Sequence, residues 1–177
     1  KKIDEALKKE GLPSFLDYAL DFAKNPGQIG RAHFARAMVK EKICSDMQDV
    51  FNRYLVKGKP GFVEHHWPSL KDGMNWIKEA GGVPVIAHPA RYKLGSHLPY
   101  LFDEFSNYGG DVIEVATGSH TKSDILKFQT LANEYSFDAS RGSDFHCPVE
   151  SRCDVGLAPN LPDGVNPVWY SRLGITL

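Results

Sequence analysis

The sequence predicts a mixed α/β fold, in which helices alternate with short strands of a parallel sheet. The main observation is that amphipathic helical stretches and short predicted strands alternate three times between residues 69 and 140. Alternation of this kind is typical of βα units. The first 55 residues, by contrast, have a helical pattern only. We therefore expect a helical segment (1–60) followed by the α/β part (61–177).

Composition supports a globular domain. The chain has 177 residues, of which 42% are hydrophobic and 24% are charged, and its net charge is −1. This length suffices for one sizeable core, and the balance argues against disorder. A near-zero net charge also argues against tight non-specific binding to long nucleic acid or to an anionic membrane. No run approaches the roughly 20 apolar residues that cross a bilayer.

Four helices are predicted in the first segment. The first carries Ile3 and Leu7 on one stripe, the second covers 16–23, and the third begins near Arg31. The fourth is expected to begin at Ser45, which forms a capping box with the glutamine three residues later.

The second segment begins with a helix whose N-terminal signal is Ser69. The apolar run that follows predicts a strand covered on both faces. Two more helices and two more strands follow in alternation, and the tail from Cys147 onwards is expected to wrap the domain without extending the sheet. The predicted strands cover 83–87, 111–116 and 137–140, and the helices between them cover about 99–108 and 123–135.

Histidines follow each predicted strand. His88 comes after the first, His120 after the second, and His146 after the third, together with Asp144. Because the carboxyl ends of parallel strands form the active face of such folds, these side chains are expected to converge.

Asp144 and His146 are separated by one residue, so on an extended segment their side chains point to the same side. A carboxylate and an imidazole placed in this way suit Zn, Mn or Fe. The alternative is a capped turn in which Asp144 bonds backbone amides and His146 packs. With His88 predicted at the same face, we favour metal binding.

Further residues near these strand ends are candidates for other roles. Arg91 could hold a phosphate with its guanidinium, or form a surface salt bridge. His120 either lies at the mouth of the site, where it would contact substrate phosphate, or caps the next helix. Glu114 lies inside a strand between Ile113 and Val115 and could point into a barrel, or be a buried, paired acid.

Arg31 and His33 fall in the first turn of a predicted helix, where free amides and the helix dipole favour an anion. The alternative is an ordinary surface arginine with a capping histidine. His65 and His66 are interpreted as residues at the rim of the site. The three cysteines lack zinc-finger spacing and are expected to be reduced thiols.

Several motifs together resemble the polymerase and histidinol phosphatase (PHP) superfamily, in the branch of nucleoside 3′,5′-bisphosphate phosphatases and 5′-to-3′ exoribonucleases. The resemblance extends from about Gly27 to Leu173. The motifs that carry it are GRAHFARAMV (30–39), YLVKGKPGFV (54–63), VPVIAHPARY (83–92), IEVATGSH (113–120) and GSDFHCP (142–148).

This resemblance implies a distorted seven-stranded β/α barrel with a helical insertion and three divalent metal ions, with manganese expected and zinc or iron as alternatives. His88, Asp144 and His146 match metal-ligand positions and would serve catalysis. Arg31, His33 and Arg91 match positions for substrate phosphate. The implied activity is hydrolysis of the 3′-phosphate of pAp-like bisphosphates, with trimming of short RNA from its 5′ end.

The sequence departs from the family pattern, because the initial HxH motif and several further ligands are not present. We therefore expect a missing N-terminal segment of the same protein to complete the barrel, and the chain alone to be inactive. The alternatives are a PHP phosphatase for another monoester, such as histidinol phosphate, or a non-catalytic PHP module. A cytoplasmic location is expected, since the N-terminus lacks the apolar core of a secretory signal.

Overall fold

The computed structural model describes residues 1–23, 25–64, 67–146, 148 and 151–175. The rim histidines His65 and His66 and the thiol of Cys147 lie outside these ranges. The chain divides into two compact units, Lys1–Trp67 and Pro68–Leu177. Assignment of the first unit as an insertion, and of the second as part of a barrel, stays a prediction.

The first unit is helical, as its apolar spacing predicts. Its large buried side chains include Leu7, Phe15, Phe34 and Met38, which come from different helices and the turns between them. Its elements are α1 (Lys2–Lys9), α2 (Leu16–Phe22), α3 (Arg31–Lys40), α4 (Met47–Val50) and a π-helical turn (Phe51–Leu55).

The fourth helix begins one residue later than predicted. Asp46, not Ser45, is its N-cap, and its carboxylate accepts a hydrogen bond of 2.8 Å from the backbone N–H of Asp49. The Ser45 hydroxyl donates to the same carboxylate. Adjacent serine and aspartate are both good N-cap residues, and spacing alone does not decide which of them takes the position.

Asp4 is a buried charged residue of the first unit, with 2% of its surface exposed. Its carboxylate accepts hydrogen bonds from the Phe15 backbone N–H at 2.8 Å and from the Ser14 hydroxyl. Lys8 forms an ion pair with it, also at 2.8 Å. Burial alone would raise the pKa of Asp4, but the contacts with Lys8, Phe15 and Ser14 outweigh burial and hold the pKa below its usual value.

Replacement of Asp4 by alanine is expected to lower the free energy of unfolding of the first unit by about 2 kcal/mol near neutral pH, because the Phe15 N–H and the Ser14 hydroxyl lose a charged acceptor. The depressed pKa in the folded state means that this contribution is complete above the unfolded pKa of about 4 and is lost as the pH falls through the folded value. Urea unfolding at pH 7 and at about pH 3 would test this. A difference between wild type and variant that does not shrink in acid would contradict it.

The second unit combines helices with a small parallel sheet. Its buried side chains include Phe102, Phe105, Val115 and Phe128. Its elements are α5 (Leu70–Glu79), α6 (Leu98–Asn107), β1 (Val112–Thr117), α7 (Lys122–Glu134), β2 (Asp138–Gly142) and α8 (Val168–Leu173). The mixed α/β class is thereby confirmed, and Ser69 caps α5 as predicted, with its hydroxyl accepting from the Asp72 N–H.

Parallel segments that are neighbours in the sheet also follow one another along the chain. β1 pairs with β2, Ile86 forms a single parallel bridge with Ile113 of β1, and Ala139 of β2 forms one with Pro167. Helix α6 lies in the chain between Ile86 and β1, and α7 between β1 and β2. This is the order that successive βα units produce.

Two expectations about the sheet are corrected. The predicted strand at 83–87 is only a bridge at Ile86, and Val83 and Val85 are each 39% exposed, so this segment is not covered on both faces within the described chain. An apolar run indicates the tendency to pair, whereas a full strand needs partners along its length. The tail was predicted not to extend the sheet, but it pairs with β2 at one point. The Ala139 N–H donates to the Asn166 carbonyl at 2.7 Å, beside the bridge to Pro167.

No helix in the described ranges is long and apolar enough to cross a membrane.

Candidate functional site

Two turns of the second unit carry the chemistry predicted from the sequence. One follows the Ile86 bridge and holds His88 and a 3₁₀ turn, Pro89–Arg91. The other follows β2 and holds Asp144 and His146. The carboxyl ends of the parallel segments supply both turns, as expected for this fold class.

His88 has an unusual backbone. Its φ is +36° and its ψ is 53°, in the left-handed region, which is uncommon for residues other than glycine and costs about 1 kcal/mol or more. The backbone N–H of His88 donates to Glu114 Oε2 at 2.6 Å. The ring atom Nδ1 is buried and has no hydrogen-bond partner among the described residues. A buried ring nitrogen without a partner is uncommon in folded proteins.

Asp144 also has a left-handed backbone, with φ at +55°. Its Oδ2 atom accepts a hydrogen bond of 2.6 Å from Arg91 Nη1. An ion pair in which the arginine side chain is 54% exposed contributes at most about 1 kcal/mol to stability. Its significance is geometric, since it shows that the two turns lie side by side.

His146 lies at the outer edge of this group. Its backbone N–H donates to Ser151 Oγ at 2.6 Å, and its ring Nδ1 lies 2.9 Å from the carbonyl oxygen of Asp144. Its side chain is 68% exposed. The ring is therefore held by local bonds and remains accessible.

The predicted metal ligands do not form a ready-made ion site. Among the described residues, no three His, Cys, Asp or Glu side chains are close enough to one another to hold a metal ion. The types of atom are suitable, because imidazole nitrogens and a carboxylate suit Mn, Zn or Fe, and the partnerless Nδ1 of His88 is consistent with a ligand role. Metal binding by His88, Asp144 and His146 stays a prediction.

His120 has another role than the predicted contact with phosphate. Its ring is nine-tenths buried and stacks on Phe128. Its Nδ1 lies 2.9 Å from the Val115 carbonyl oxygen, and its Nε2 accepts from the Ala90 N–H at 3.3 Å. Both ring nitrogens are thus occupied, so His120 ties the His88 turn to β1, and we do not retain it as a phosphate ligand.

Arg31 and His33 lie in the first unit, at the start of α3. His33 Nδ1 accepts from the backbone N–H of Gly30 at 3.0 Å, which is the capping role named above as the alternative. That bond requires an unprotonated Nδ1, so a neutral ring carries its proton on Nε2 and can donate it to an anion. Arg31 Nη1 donates to the Leu55 carbonyl at 3.4 Å and so uses one of its five N–H groups.

Glu114 makes a contact with the His88 turn that the sequence pattern did not predict. It is the one partly exposed position of β1, whose other residues are buried, and its carboxylate binds the His88 turn. The available signal was an acid within an otherwise apolar strand. Burial, and then the nearby Glu114 carboxylate, raise the pKa of Tyr92.

The Thr117–Ser119 turn has two further features that the sequence pattern did not predict. Thr117 Oγ1 and Ser119 Oγ are buried without a hydrogen-bond partner in the described ranges. Between them, Gly118 approaches the backbone of the turn after β2 so closely that a Cβ would lie 2.4 Å from the Ser143 carbonyl oxygen. The sequence TGS after a strand was the only available signal.

The second unit places histidine, aspartate and arginine in the turns that follow its parallel segments. Comparison with known proteins gives the relatives of the chain. The chain is similar to a bacterial 3′,5′-nucleoside bisphosphate phosphatase and to bacterial 5′-3′ exoribonucleases, the two kinds of protein that the motifs of the sequence resemble.

The chain is 44% identical over 170 residues to a 3′,5′-nucleoside bisphosphate phosphatase of Chromobacterium violaceum, and the match covers 96% of this chain and 60% of that protein. It is 38% identical to the 5′-3′ exoribonuclease Rnm of Salmonella typhimurium, covering 96% of this chain and 57% of the relative. The chain thus spans about three fifths of the length of these relatives. No family model matches it.

Two solved structures have folds similar to that of this chain. A Chromobacterium violaceum amidohydrolase structure with bound sulfate and no metal matches with a TM-score of 0.88 and 43% identity, over 96% of this chain and 59% of that one. A Bifidobacterium adolescentis protein described as a metal-dependent phosphoesterase matches with a TM-score of 0.71 and 26% identity, over 93% of this chain and 57% of that one.

Proposed function

We propose that the full-length protein is a metal-dependent phosphoesterase that removes the 3′-phosphate from nucleoside 3′,5′-bisphosphates and trims short RNA from its 5′ end. The observation that carries this proposal is the pairing of the two strand-end turns, where Arg91 Nη1 donates to Asp144 Oδ2. The same turn as Arg91 holds His88, whose buried ring Nδ1 has no hydrogen-bond partner among the described residues. Relatives named for these two activities support the choice of substrate.

In this proposal the residues have separate tasks. His88, Asp144 and His146 would hold divalent ions, manganese being preferred over zinc or iron, and three ions are proposed for the complete site. A bound divalent ion would supply Lewis-acid polarisation of a phosphoryl oxygen. Arg91 would bind a phosphate through its planar fork of N–H groups.

Arg31 and His33 are proposed to bind substrate phosphate. The Nε2 proton that remains on neutral His33 and the guanidinium of Arg31 are suitable donors for phosphate oxygens. A substrate with two phosphates would account for cationic groups in addition to the metal ligands. Nucleotide and short RNA substrates also favour the cytoplasmic location predicted above.

The second unit (within residues 61–177) is proposed to form part of a distorted seven-stranded β/α barrel, into which residues 1–60 are inserted. The support is the order of its parallel segments, which follow the chain without reversal from Ile86 through β1 and β2 to Pro167. An open doubly wound sheet reverses its strand order at one point, whereas a barrel does not. The rest of the barrel is proposed to come from the N-terminal part of the same protein.

A substrate panel with the full-length protein tests the function. We expect hydrolysis of pAp with release of inorganic phosphate, shortening of a 5′-phosphorylated RNA oligomer, and much weaker hydrolysis of histidinol phosphate. Removal of metal by chelation should abolish both reactions, and added Mn²⁺ should restore them. A preference for histidinol phosphate would favour the alternative phosphatase. A protein with neither metal nor hydrolysis would favour a non-catalytic module.

A further inference from the structure

We propose that Glu114 is a positioning residue for the site, which holds His88 in its left-handed conformation and so fixes the direction of the His88 ring. This inference rests on the metal-binding role proposed for His88. In this role the Glu114 carboxylate does not contact a metal ion. It acts indirectly, by binding the backbone of His88, the proposed metal ligand.

The contact with His88 is short and specific. Glu114 Oε2 accepts the hydrogen bond from the His88 backbone N–H at 2.6 Å. A bond from a backbone N–H to an ionised carboxylate is about twice as strong as one between neutral groups. It therefore can offset the cost of about 1 kcal/mol or more of a left-handed backbone at a residue that has a side chain. Without this bond the His88 turn would relax towards an ordinary conformation.

The other oxygen of Glu114 packs against the second turn. A Cβ built on Gly142 would lie 2.7 Å from Glu114 Oε1, so the carboxylate occupies the space that a side chain at 142 would need. Gly142 ends β2 and directly precedes the segment that carries Asp144 and His146. One side chain thus touches both segments that hold the proposed ligands.

The pairing between β1 and β2 is irregular next to Glu114. Ser140 of β2 pairs with Glu114, and the next residue, Arg141, pairs with Ala116, so β1 has an extra residue at this point. Bulges of this kind change the direction of a side chain and are frequent next to active sites. Within the described ranges, Glu114 forms no ion pair with lysine or arginine, and its hydrogen bond goes to the His88 backbone.

The test uses the full-length protein and two substitutions at one position. Glu114→Ala removes the acceptor, and we expect Mn²⁺ affinity to fall by about 10- to 100-fold, the usual effect of losing a partner that orients a metal ligand. Glu114→Gln keeps an oxygen that can accept from the His88 N–H, so its affinity is expected to stay much closer to that of the wild type. The readout is Mn²⁺ binding by calorimetry, with thermal unfolding to establish that each variant is folded.

A third substitution, at Gly142, tests whether the position of the Glu114 carboxylate matters for metal binding. Gly142→Ala should displace Glu114 and weaken Mn²⁺ binding in the same direction as Glu114→Ala. Gly73→Ala is the matched control, because a Cβ at Gly73 meets nothing within 4 Å, and its Mn²⁺ affinity should equal that of the wild type. Normal Mn²⁺ affinity in Gly142→Ala would contradict the proposed packing of Glu114.

A double-mutant cycle separates this inference from the function on which it rests. If Glu114 acts through His88, adding Glu114→Ala to His88→Ala should have little further effect on Mn²⁺ affinity. If His88→Ala alone leaves Mn²⁺ affinity unchanged, the proposed function of His88 is wrong. If His88→Ala weakens binding but Glu114→Ala does not, only the role of Glu114 is wrong. Equal losses in Glu114→Gln and Glu114→Ala would identify Glu114 as a direct ligand and overturn the positioning role.

Discussion

Replacing Arg91 with alanine in the full-length protein is expected to lower kcat/KM for a nucleoside 3′,5′-bisphosphate by about 100-fold, the usual effect of removing one strong donor to a developing anion. Metal content should not fall. Arg91 is bonded to Asp144 through Nη1, and the substitution frees that carboxylate without removing any proposed ligand. Steady-state kinetics and metal analysis of the same preparation would test both parts of the prediction.

The matched control for Arg91 is Arg141→Ala. Arg141 also lies in the second unit and is exposed, but its guanidinium bonds the side chain of Asn160 instead of a proposed ligand. Its kcat/KM should remain within about threefold of the wild-type value, as for most surface substitutions. If Arg91→Ala loses metal in parallel with activity, Arg91 supports the metal site and does not serve as a phosphate ligand.

The helices were the most predictable part of the fold. Apolar residues at helical spacing and a capping serine located α5, and the apolar residues after a glycine stop signal located β1. The strand predicted at 137–140 overlaps β2, which covers Asp138–Gly142. These features depend on neighbours along the chain. The segment at 83–87 was less predictable, because the length of a strand depends on pairing along its edges, and here the described chain supplies one bridge at Ile86.

The site was predictable in its residue types more than in its geometry. The spacing of His88, Asp144 and His146 after strands identified two turns that the structure places side by side. The left-handed backbones of His88 and Asp144 are set by contacts distant in the chain, such as the bond from Glu114, and local preference does not reveal them. His120 shows the opposite error, because a polar residue near a site can be bonded entirely within the fold.

Gly118 is the position where a small change should disturb this arrangement most. A Cβ there would lie 2.4 Å both from the Ser143 carbonyl oxygen and from Cys153 Cβ. Neither atom belongs to the end of a flexible side chain, so the backbone itself must move. The Gly118 N–H also donates to the Gly142 carbonyl at 3.1 Å. The end of β1 and the turn after β2 are therefore in direct backbone contact at this residue.

Gly118→Ala is expected to lower the free energy of unfolding by about 3 kcal/mol, at the upper end of the usual cost of overpacking. Activity should fall as well, because the displaced Ser143 directly precedes Asp144. Urea unfolding and the pAp assay would measure the two effects, with Gly73→Ala as the control, since an alanine inside α5 should raise stability by up to about 1 kcal/mol. Adding Cys153→Gly removes one of the two overlaps but leaves the carbonyl of Ser143, so it should not restore the variant. Full recovery in that double variant would show that Cys153, and not the approach of the two backbones, makes glycine necessary at 118.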